Sequence, residues 1–313
     1  MRLAAIDLGS NTIRLLVADA DPGAGLRPVR GEQVMARLGA GLAETGKLAP
    51  ECVERALAAV REYRDRARAE GAERVLVVAT AAVREAANRD QLLGRLEREL
   101  RLAPRVVSGE EEARLTLLGV LWGLSPVASP FCVLDIGGGS TELLVADGAR
   151  PLGGVSLKLG VVPLAERFLR ADPVDWAEYT ACAAYVAGRL AAEAWPLIRG
   201  LDPRVLVGTA GTITTLAALD LGLAAYDPAR VQGHRLAREA IRGLLVRLGR
   251  VHLTERASMP CLEHGRADLI IPGIAVTLAV LDGLEFPELV VCDTGFREGI
   301  LLDAVGWMPG RSS

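Results

Sequence analysis

One pattern occurs twice in this chain, as Ala5-Ile6-Asp7-Leu8-Gly9-Ser10-Asn11-Thr12 and as Leu134-Asp135-Ile136-Gly137-Gly138-Gly139-Ser140-Thr141. In each copy an apolar run ends in an aspartate, and a turn of glycine and small polar residues follows. A second apolar run then begins, at Ile13 in one copy and at Glu142 in the other. Two apolar runs joined by a tight turn predict a β-hairpin. Two matching hairpins predict a duplicated domain, with the turn of each copy facing one cleft.

The two turns have the composition of a phosphate-binding site. Glycine lets consecutive backbone N–H groups point at one anion. The turn side chains that add hydrogen-bond donors are Ser10, Asn11, Thr12, Ser140 and Thr141. Asp7 and Asp135 suit a hydrated Mg²⁺ ion that is bound together with phosphate oxygens. A glycine turn with a capping aspartate would explain one hairpin alone, but two matching copies favour the functional interpretation.

Composition restricts the class of protein. The 313 residues are enough for about two domains. Half of the residues are hydrophobic and 24% are charged, which is typical of a soluble globular protein. A formal net charge of −3 argues against a nucleic-acid-binding protein, which needs a basic surface. The five cysteines are scattered without Cys-x-x-Cys spacing, and they predict reduced thiols in a cytoplasmic protein.

Neither a signal peptide nor a membrane span is expected. The first predicted strand begins close to Met1, which leaves no room for a signal peptide. The longest apolar run, from Leu269 to Leu281, is too short to cross a bilayer. This run predicts a buried helix instead.

The order of the apolar segments predicts an α/β protein of two domains. Residues 1–125 form the first domain, in which a strand meander is followed by βαβ units. A linker is predicted over Gly123–Pro130, where proline and serine concentrate. Residues 126–296 form the second domain, and the C-terminal helix over 297–313 is expected to pack back on the first. Other predicted segments are third strands over 33–38 and 155–159 and helices over 176–198 and 268–281.

A third glycine-rich stretch is Val207-Gly208-Thr209-Ala210-Gly211-Thr212-Ile213, between a predicted strand and a predicted helix. Phosphate is favoured at a helix N-terminus by free N–H groups and by the helix dipole. The stretch lacks the Gly-Lys-Ser/Thr of a Walker A loop and the spacing of a dinucleotide-binding loop. Together with the two hairpins, it predicts a further phosphate contact.

The stretch Ser108-Gly109-Glu110-Glu111-Glu112-Ala113-Arg114 supplies candidate catalytic carboxylates. Ser108 and Glu111 have the spacing of a capping box, which predicts a structural role for Glu111. Glu110 and Glu112 remain, and acidic residues in a first helical turn are favourable without any function. The functional alternative is that one of them orients a water molecule onto a terminal phosphorus. The pattern alone leaves both interpretations open.

Three arginines stand near these motifs. Arg84 follows the C-terminal end of a predicted buried strand, which is where α/β proteins form their sites. Arg266 is predicted at a helix start, and Arg297 lies at the beginning of the final helix. Surface salt bridges are the simpler explanation for Arg266 and Arg297, but not for Arg84.

In combination, these motifs resemble the exopolyphosphatase / guanosine pentaphosphate phosphatase family. The matching stretches follow the family's order across almost the whole chain: Ile6–Thr12, Ser108–Arg114, Asp135–Glu142, Arg266–Asp268 and Arg297–Gly299. The resemblance implies the actin-like fold of the acetate and sugar kinase and Hsp70 ATPases, with two ribonuclease-H-like α/β domains and a cleft between them. It also implies magnesium-dependent release of terminal phosphate from polyphosphate or guanosine pentaphosphate (pppGpp). The second substrate would connect the protein to the stringent response.

The resemblance also assigns residue roles. In the family the catalytic carboxylate is the glutamate immediately before Ala-Arg, which here is Glu112. Metal or phosphate roles are implied for Asp7, Asp135, Gly137, Ser140 and Arg84. With the turn residues singled out above, the predicted metal ligands are Asp7 and Asp135. The predicted phosphate ligands are Gly9, Ser10, Asn11, Thr12, Arg84, Gly137, Gly138, Gly139, Ser140, Thr141, Gly208, Thr209, Gly211, Thr212 and Arg266.

Two departures from the family pattern are visible. Ala210 stands where the family usually has glycine, which is expected to limit backbone approach in the third loop. The C-terminal helical domain of His-Asp type that longer members carry is not expected here.

Two alternative functions are also compatible with the sequence. The first is an ATP-dependent kinase or ATPase of the same fold, which would need an adenosine pocket. The second is a non-catalytic sensor of polyphosphate or alarmone, which would not depend on Glu112. The sequence does not decide between polyphosphate and pppGpp as substrate. No nucleic-acid or membrane partner is expected, and a homodimer is consistent with the family although no interface can be identified.

Overall fold

The computed structural model describes residues 1–125, 127–262 and 265–309. Pro126 of the predicted linker and residues 310–313 of the predicted C-terminal helix lie outside this described part. The chain divides into two compact units. Unit 1 contains Met1–Trp122 and the chain from Thr294 onward, and unit 2 contains Gly123–Asp293.

The described residues of unit 1 form a five-stranded sheet and six helices. Its strands are β1 (Arg2–Leu8), β2 (Thr12–Asp21), β3 (Gly25–Met35), β4 (Arg74–Ala79) and β5 (Arg105–Val106). Its helices are α1 (Leu42–Thr45), α2 (Pro50–Ala69), α3 (Ala81–Glu85), α4 (Arg89–Leu100), α5 (Gly109–Leu124, which runs into unit 2) and α14 (Phe296–Ala304). The strand order is β3-β2-β1-β4-β5. Strands β1, β2 and β3 form an antiparallel meander, whereas β1, β4 and β5 are parallel.

The two faces of this sheet are covered by different helices. Ile6 and Leu8 are fully buried in one core cluster, which includes residues of α2 and α4. Ala5 packs on the opposite face, in a cluster with Leu115 of α5 and Leu301 of α14. Because side chains alternate along a strand, Asp7 projects from the face that α5 and α14 cover.

Unit 2 repeats this plan with additions. Its strands are β6 (Phe131–Ile136), β7 (Thr141–Asp147), β8 (Arg150–Leu157), β9 (Val205–Thr209), β10 (Arg235–Ala237) and β11 (Glu288–Val291). Its helices are α6 (Val161–Phe168), α7 (Trp176–Glu193), α8 (Trp195–Ile198), the 3₁₀ turn Arg199–Leu201, α9 (Ala210–Asp220), α10 (Pro228–Val231), α11 (Arg238–Gly249), α12 (Leu253–Arg256) and α13 (Ile270–Gly283). The strand order is β10-β11-β9-β6-β7-β8, with β10 as an antiparallel edge strand.

The two sheets share one topology. In unit 2 the antiparallel meander β6-β7-β8 is continued by the parallel strands β9 and β11, as β1-β2-β3 is continued by β4 and β5 in unit 1. A three-stranded meander extended by parallel strands with helices on the faces is the ribonuclease-H-like arrangement. The predicted fold class, two ribonuclease-H-like α/β domains, is confirmed.

Some predicted element bounds were wrong. The helix predicted over 176–198 is divided, because Pro196 lacks the N–H that a continuous helix requires. The helix predicted from Asp268 begins at Ile270, which places Pro272 in the first turn, where a missing N–H is tolerated. Arg266 therefore precedes the helix rather than opening it.

The third strands begin earlier than predicted, at Gly25 and Arg150. Residues 27–31 of β3 are exposed, and residues 150–154 of β8 are exposed or half-buried, so neither strand has the continuous apolar run that the prediction required.

Two expectations from composition can be compared with the structure. No disulfide joins the five cysteines, all of which lie in the described part of the chain. None of the helices within residues 1–125, 127–262 and 265–309 has the length and apolar character needed to cross a membrane.

Candidate active site

The hairpin turn of unit 1 joins β1 to β2 through Gly9-Ser10-Asn11-Thr12. The Gly9 N–H donates to the Thr12 carbonyl at 3.2 Å, and a Cβ on Gly9 would lie 2.8 Å from that oxygen. Glycine is therefore required at this position. The Ser10 side chain is buried, and its Oγ has no hydrogen-bond partner among the described residues. A buried hydroxyl in this state is a donor available to a bound oxyanion.

The segment that follows β3 is hydrogen-bonded to this turn. Arg37 donates its backbone N–H to the Asn11 carbonyl at 2.8 Å, and Gly39 donates to the Ser10 carbonyl at 2.7 Å. These bonds fix the carbonyl groups of the turn and thus the orientation of its peptide planes.

The hairpin turn of unit 2 has the same geometry. Gly137 donates its N–H to the Ser140 carbonyl at 2.9 Å, as Gly9 does to Thr12 in unit 1. Val161 and Val162, at the start of α6, donate to the carbonyls of Gly137 and Gly138 at 3.2 and 2.9 Å. These contacts also satisfy first-turn N–H groups that a helix leaves without partners.

The glycines of the second turn keep donors available. The backbone N–H groups of Gly138 and Gly139 have no acceptor among the described residues. Thr141 differs, because its hydroxyl is buried and donates to the Leu159 carbonyl at 2.7 Å. The Thr141 hydroxyl is therefore used within the fold, and the turn glycines are the better phosphate donors.

The two predicted metal ligands lie at equivalent positions but have different neighbours. Asp7 pairs across the hairpin with Arg14, whereas Asp135 pairs with Glu142. Asp135 and Glu142 are both buried, and Ser156 donates its hydroxyl to Glu142 at 2.6 Å. Residues directly opposite in an antiparallel pair have Cβ atoms about 5 Å apart.

Two facing carboxylates fit a divalent cation. Like charges directly opposite each other are destabilising, and a cation between them would relieve the repulsion. Among the described residues, no group of three or more His, Cys, Asp or Glu side chains forms a complete metal cage. Mg²⁺ does not need one, because it typically uses one or two carboxylates with water and substrate phosphates. The donor set at Asp135 and Glu142 therefore fits Mg²⁺.

The third glycine loop lies between β9 and α9, and Arg266 lies against it. A Cβ on Gly211 would lie 2.8 Å from the Arg266 guanidinium, which also contacts the Thr215 hydroxyl at 3.5 Å. Ala210 adopts a left-handed backbone conformation with φ of 68°, which is strained for a residue with a Cβ. Thr212 packs on Gly273 of α13, whose added Cβ would lie 2.4 Å from the threonine methyl group.

Tyr226 lies in the same region of unit 2. Its hydroxyl contacts the Asp293 carboxylate, and burial of the hydroxyl raises the pKa of Tyr226. Tyrosine is neutral at ordinary pH, so the Tyr226 hydroxyl donates to the Asp293 carboxylate.

Glu112 lies in the first turn of α5. Ser108 accepts a hydrogen bond from the Glu111 N–H at 3.1 Å, and the Glu111 carboxylate pairs with Arg105 at 3.0 Å. The Glu112 side chain, only 12% exposed, instead contacts Arg84 at 3.1 Å. Glu112 also lies three residues before Leu115 and so shares the helix face that covers the Asp7 side of the sheet.

The structure thus brings several predicted residues together. Gly9 to Thr12 form one turn and Gly137 to Ser140 the other, Arg84 contacts Glu112, and Arg266 contacts the third loop at Gly211. Arg297 lies elsewhere, paired with Glu298 of α14 at 3.5 Å.

Glu142 and Arg14 were not predicted as site residues. Each lies seven positions after its aspartate in the chain, at the directly opposed strand position. The alternation of side chains in a hairpin was the signal that could have identified them.

The profile of the Ppx/GppA phosphatase family matches residues 16–307. The chain belongs to this family. It is 34% identical to exopolyphosphatase 2 of Mycobacterium tuberculosis, over 97% of this chain and 99% of that protein.

Two solved structures have the same fold as this Ppx/GppA protein. The Aquifex aeolicus member of the Ppx/GppA family has a TM-score of 0.81 at 33% identity, over 97% of each chain. An exopolyphosphatase from Cytophaga hutchinsonii has a TM-score of 0.89 at 25% identity, over 99% of this chain and 100% of that one. The predicted family is therefore confirmed. The predicted roles of single residues, the magnesium ion and the cleft stay predictions.

Proposed function

We propose that this protein is a phosphoanhydride hydrolase that releases the terminal phosphate of inorganic polyphosphate. The observation that carries the proposal is the environment of Glu112. Of three consecutive glutamates, Glu112 is the one whose carboxylate is largely buried and contacts Arg84. The chain also belongs to a family of phosphatases. Relatives named exopolyphosphatase support polyphosphate as the substrate.

The glycine turns would bind the phosphate chain. Backbone N–H groups at Gly138 and Gly139 and the Ser10 hydroxyl are donors without acceptors among the described residues. Arg266, held against the third loop at Gly211, adds a positive charge there. Phosphoryl transfer depends above all on positioning and charge neutralisation, which is what these groups provide.

Magnesium would be held by carboxylates of the hairpins. Asp135, with Glu142 opposite it, offers ligands in unit 2, and Asp7 offers one in unit 1. When bound with the substrate, Mg²⁺ neutralises charge on the phosphate oxygens. The facing carboxylates Asp135 and Glu142 support its placement.

Glu112 would act as the general base. Its carboxylate accepts a proton from water while the water oxygen forms a bond to the terminal phosphorus. The bridging P–O bond breaks, and the shortened chain leaves with the electron pair of that bond. The same chemistry applies to the 5′-terminal phosphate of pppGpp, which is the second substrate to be tested.

The test is phosphate release from polyphosphate, pppGpp and ATP, measured side by side with wild-type protein and Glu112→Gln, with and without Mg²⁺. We expect Mg²⁺-dependent release from polyphosphate, which the substitution slows by about a hundredfold or more. Preference for ATP would contradict the proposal in favour of a kinase or ATPase. Polyphosphate binding without turnover would contradict it in favour of a sensor.

A further inference from the structure

We propose that Arg84 is a positioning residue for Glu112, beyond the phosphate-binding role that the family resemblance implies. This inference rests on the proposed function, in which Glu112 accepts the proton from water. Arg84 Nη1 donates to the Val107 carbonyl at 2.9 Å and to Glu112 Oε2 at 3.1 Å.

The two contacts use all the hydrogens of that nitrogen. A guanidinium Nη carries two N–H groups, so both hydrogens of Nη1 are used. Neither Nε nor Nη2 of Arg84 has a hydrogen-bond acceptor among the described residues. Nη1 is thus fully used by acceptors within the protein. The three N–H groups of Nε and Nη2 remain for a phosphate.

Strand β4 holds both backbone segments in place, the one that carries Arg84 and the one that leads to Glu112. Arg84 lies in α3, directly after β4, and its backbone N–H donates to the Thr80 carbonyl at 2.9 Å. The Val107 N–H donates to the Ala79 carbonyl of β4 at 3.1 Å, and Val107 directly precedes Ser108, the residue that caps α5. The contact between Arg84 and Glu112 therefore spans elements that the sheet already holds together.

Burial strengthens this pair relative to a surface ion pair. The side chains of Arg84 and Glu112 are 22% and 12% exposed. Glutamate has three rotatable bonds, and a misplacement of about 1 Å in a reacting group can cost about a hundredfold in rate. A charge-assisted hydrogen bond from a fixed donor restricts the Glu112 carboxylate to a narrow range of positions.

A double-mutant cycle tests the inference. The variants are Arg84→Ala, Glu112→Gln and the double variant, and kcat and KM for polyphosphate are measured for each. We expect Arg84→Ala to lower kcat by about tenfold to a hundredfold in the wild-type background. In the Glu112→Gln background the same change should lower kcat by less than about threefold, because no base remains to be positioned.

Arg84→Lys separates positioning from charge. Lysine keeps the positive charge but cannot bridge Val107, Glu112 and a phosphate in the fixed geometry of a guanidinium. We expect Arg84→Lys to have a KM for polyphosphate close to the wild-type value. Its kcat should stay close to the lowered kcat of Arg84→Ala. Arg61→Ala is the matched control, because Arg61 pairs with Glu99 on the surface of the same unit. Thermal unfolding of every variant identifies any change that acts through stability.

Two results overturn the inference. The first is an equal loss of kcat from Arg84→Ala in both backgrounds, and the second is full recovery of kcat by Arg84→Lys. Either would leave Arg84 as a phosphate ligand only, with the proposed function intact. If Glu112→Gln alone leaves kcat unchanged, the proposed function itself fails, and the two failures are therefore distinguishable.

Discussion

The two hairpins have the same backbone but opposite charges facing their aspartates. In both, the first turn glycine donates to the carbonyl three residues later, and the aspartate lies two positions before that glycine. Arg14 faces Asp7 in unit 1, whereas Glu142 faces Asp135 in unit 2. The turn geometry is therefore the same in the two units, whereas the charge beside it differs. The pair of facing carboxylates in unit 2 is thus the better candidate for a cation than the Asp7–Arg14 pair in unit 1.

The largest expected effect on stability concerns the glycine that packs against each turn. Gly160 follows β8, and a Cβ there would lie 2.2 Å from the Gly139 backbone. Gly39 follows β3, where a Cβ would lie 3.0 Å from the Ser10 side chain. We expect Gly160→Ala to lower the free energy of unfolding by about 3 kcal/mol and Gly39→Ala by about 1 kcal/mol. Urea unfolding measures both.

Gly188→Ala is the control for these two variants. Gly188 lies within α7 with nothing near its Cβ position, so alanine should stabilise the protein by about 0.5–1 kcal/mol. Equal losses from Gly160→Ala and Gly39→Ala would contradict the difference in packing between the two turns.

The charge difference predicts different metal affinities. We expect Glu142→Gln to raise the Kd for Mg²⁺ by about tenfold or more, since it removes one of two facing carboxylates. Arg14→Gln should change this Kd by less than about twofold, because an arginine beside Asp7 does not bind a cation. Calorimetric titration with Mg²⁺, with polyphosphate absent and present, measures both. A larger effect from Arg14→Gln would reverse the assignment of the two hairpins.

The third loop predicts a smaller change that is confined to substrate binding. Unit 1 carries Arg84 on the helix after β4, whereas unit 2 places Arg266 from a distant segment against Gly211. A methyl group at Gly211 displaces the guanidinium, so Gly211→Ala should raise KM for polyphosphate by about tenfold, as expected for loss of one charge-assisted hydrogen bond. Its stability should match that of Gly243→Ala, an open helical position. An unchanged KM would remove Arg266 from the phosphate site.

The smallest effect concerns the first residue of the helix that follows the fourth strand of each unit. Ala210 in unit 2 is in the left-handed region, whereas its counterpart in unit 1, Ala81, is not. We expect Ala210→Gly to stabilise the protein by about 0.5 kcal/mol, since relief of strain outweighs the added chain entropy. Ala81→Gly should destabilise it by about 1 kcal/mol. Thermal unfolding measures both, and destabilisation by Ala210→Gly would contradict the strain at this position.

The sequence was informative where structure is encoded locally. The hairpin turns could be predicted because their glycines and aspartates lie within a few residues of each other. The contact between Arg84 and Glu112 could not, because it joins residues 28 positions apart through tertiary packing. Strand β10 (Arg235–Ala237) was missed because three residues give no periodic signal. Ala210 was noted as a departure, but its backbone strain appears only in the structure.

In the proposed function, Glu112 is the one of three consecutive glutamates that prepares the attacking water. Glu112→Gln and Glu111→Gln form a matched pair, because Glu111 pairs with Arg105 at the edge of the same helical turn. The measurement is the steady-state rate of phosphate release from polyphosphate with saturating Mg²⁺. We expect Glu112→Gln to lower kcat by about a hundredfold or more and Glu111→Gln by less than about threefold. Equal rates for the two variants, or a larger loss from Glu111→Gln, would contradict the assignment of Glu112 as the base.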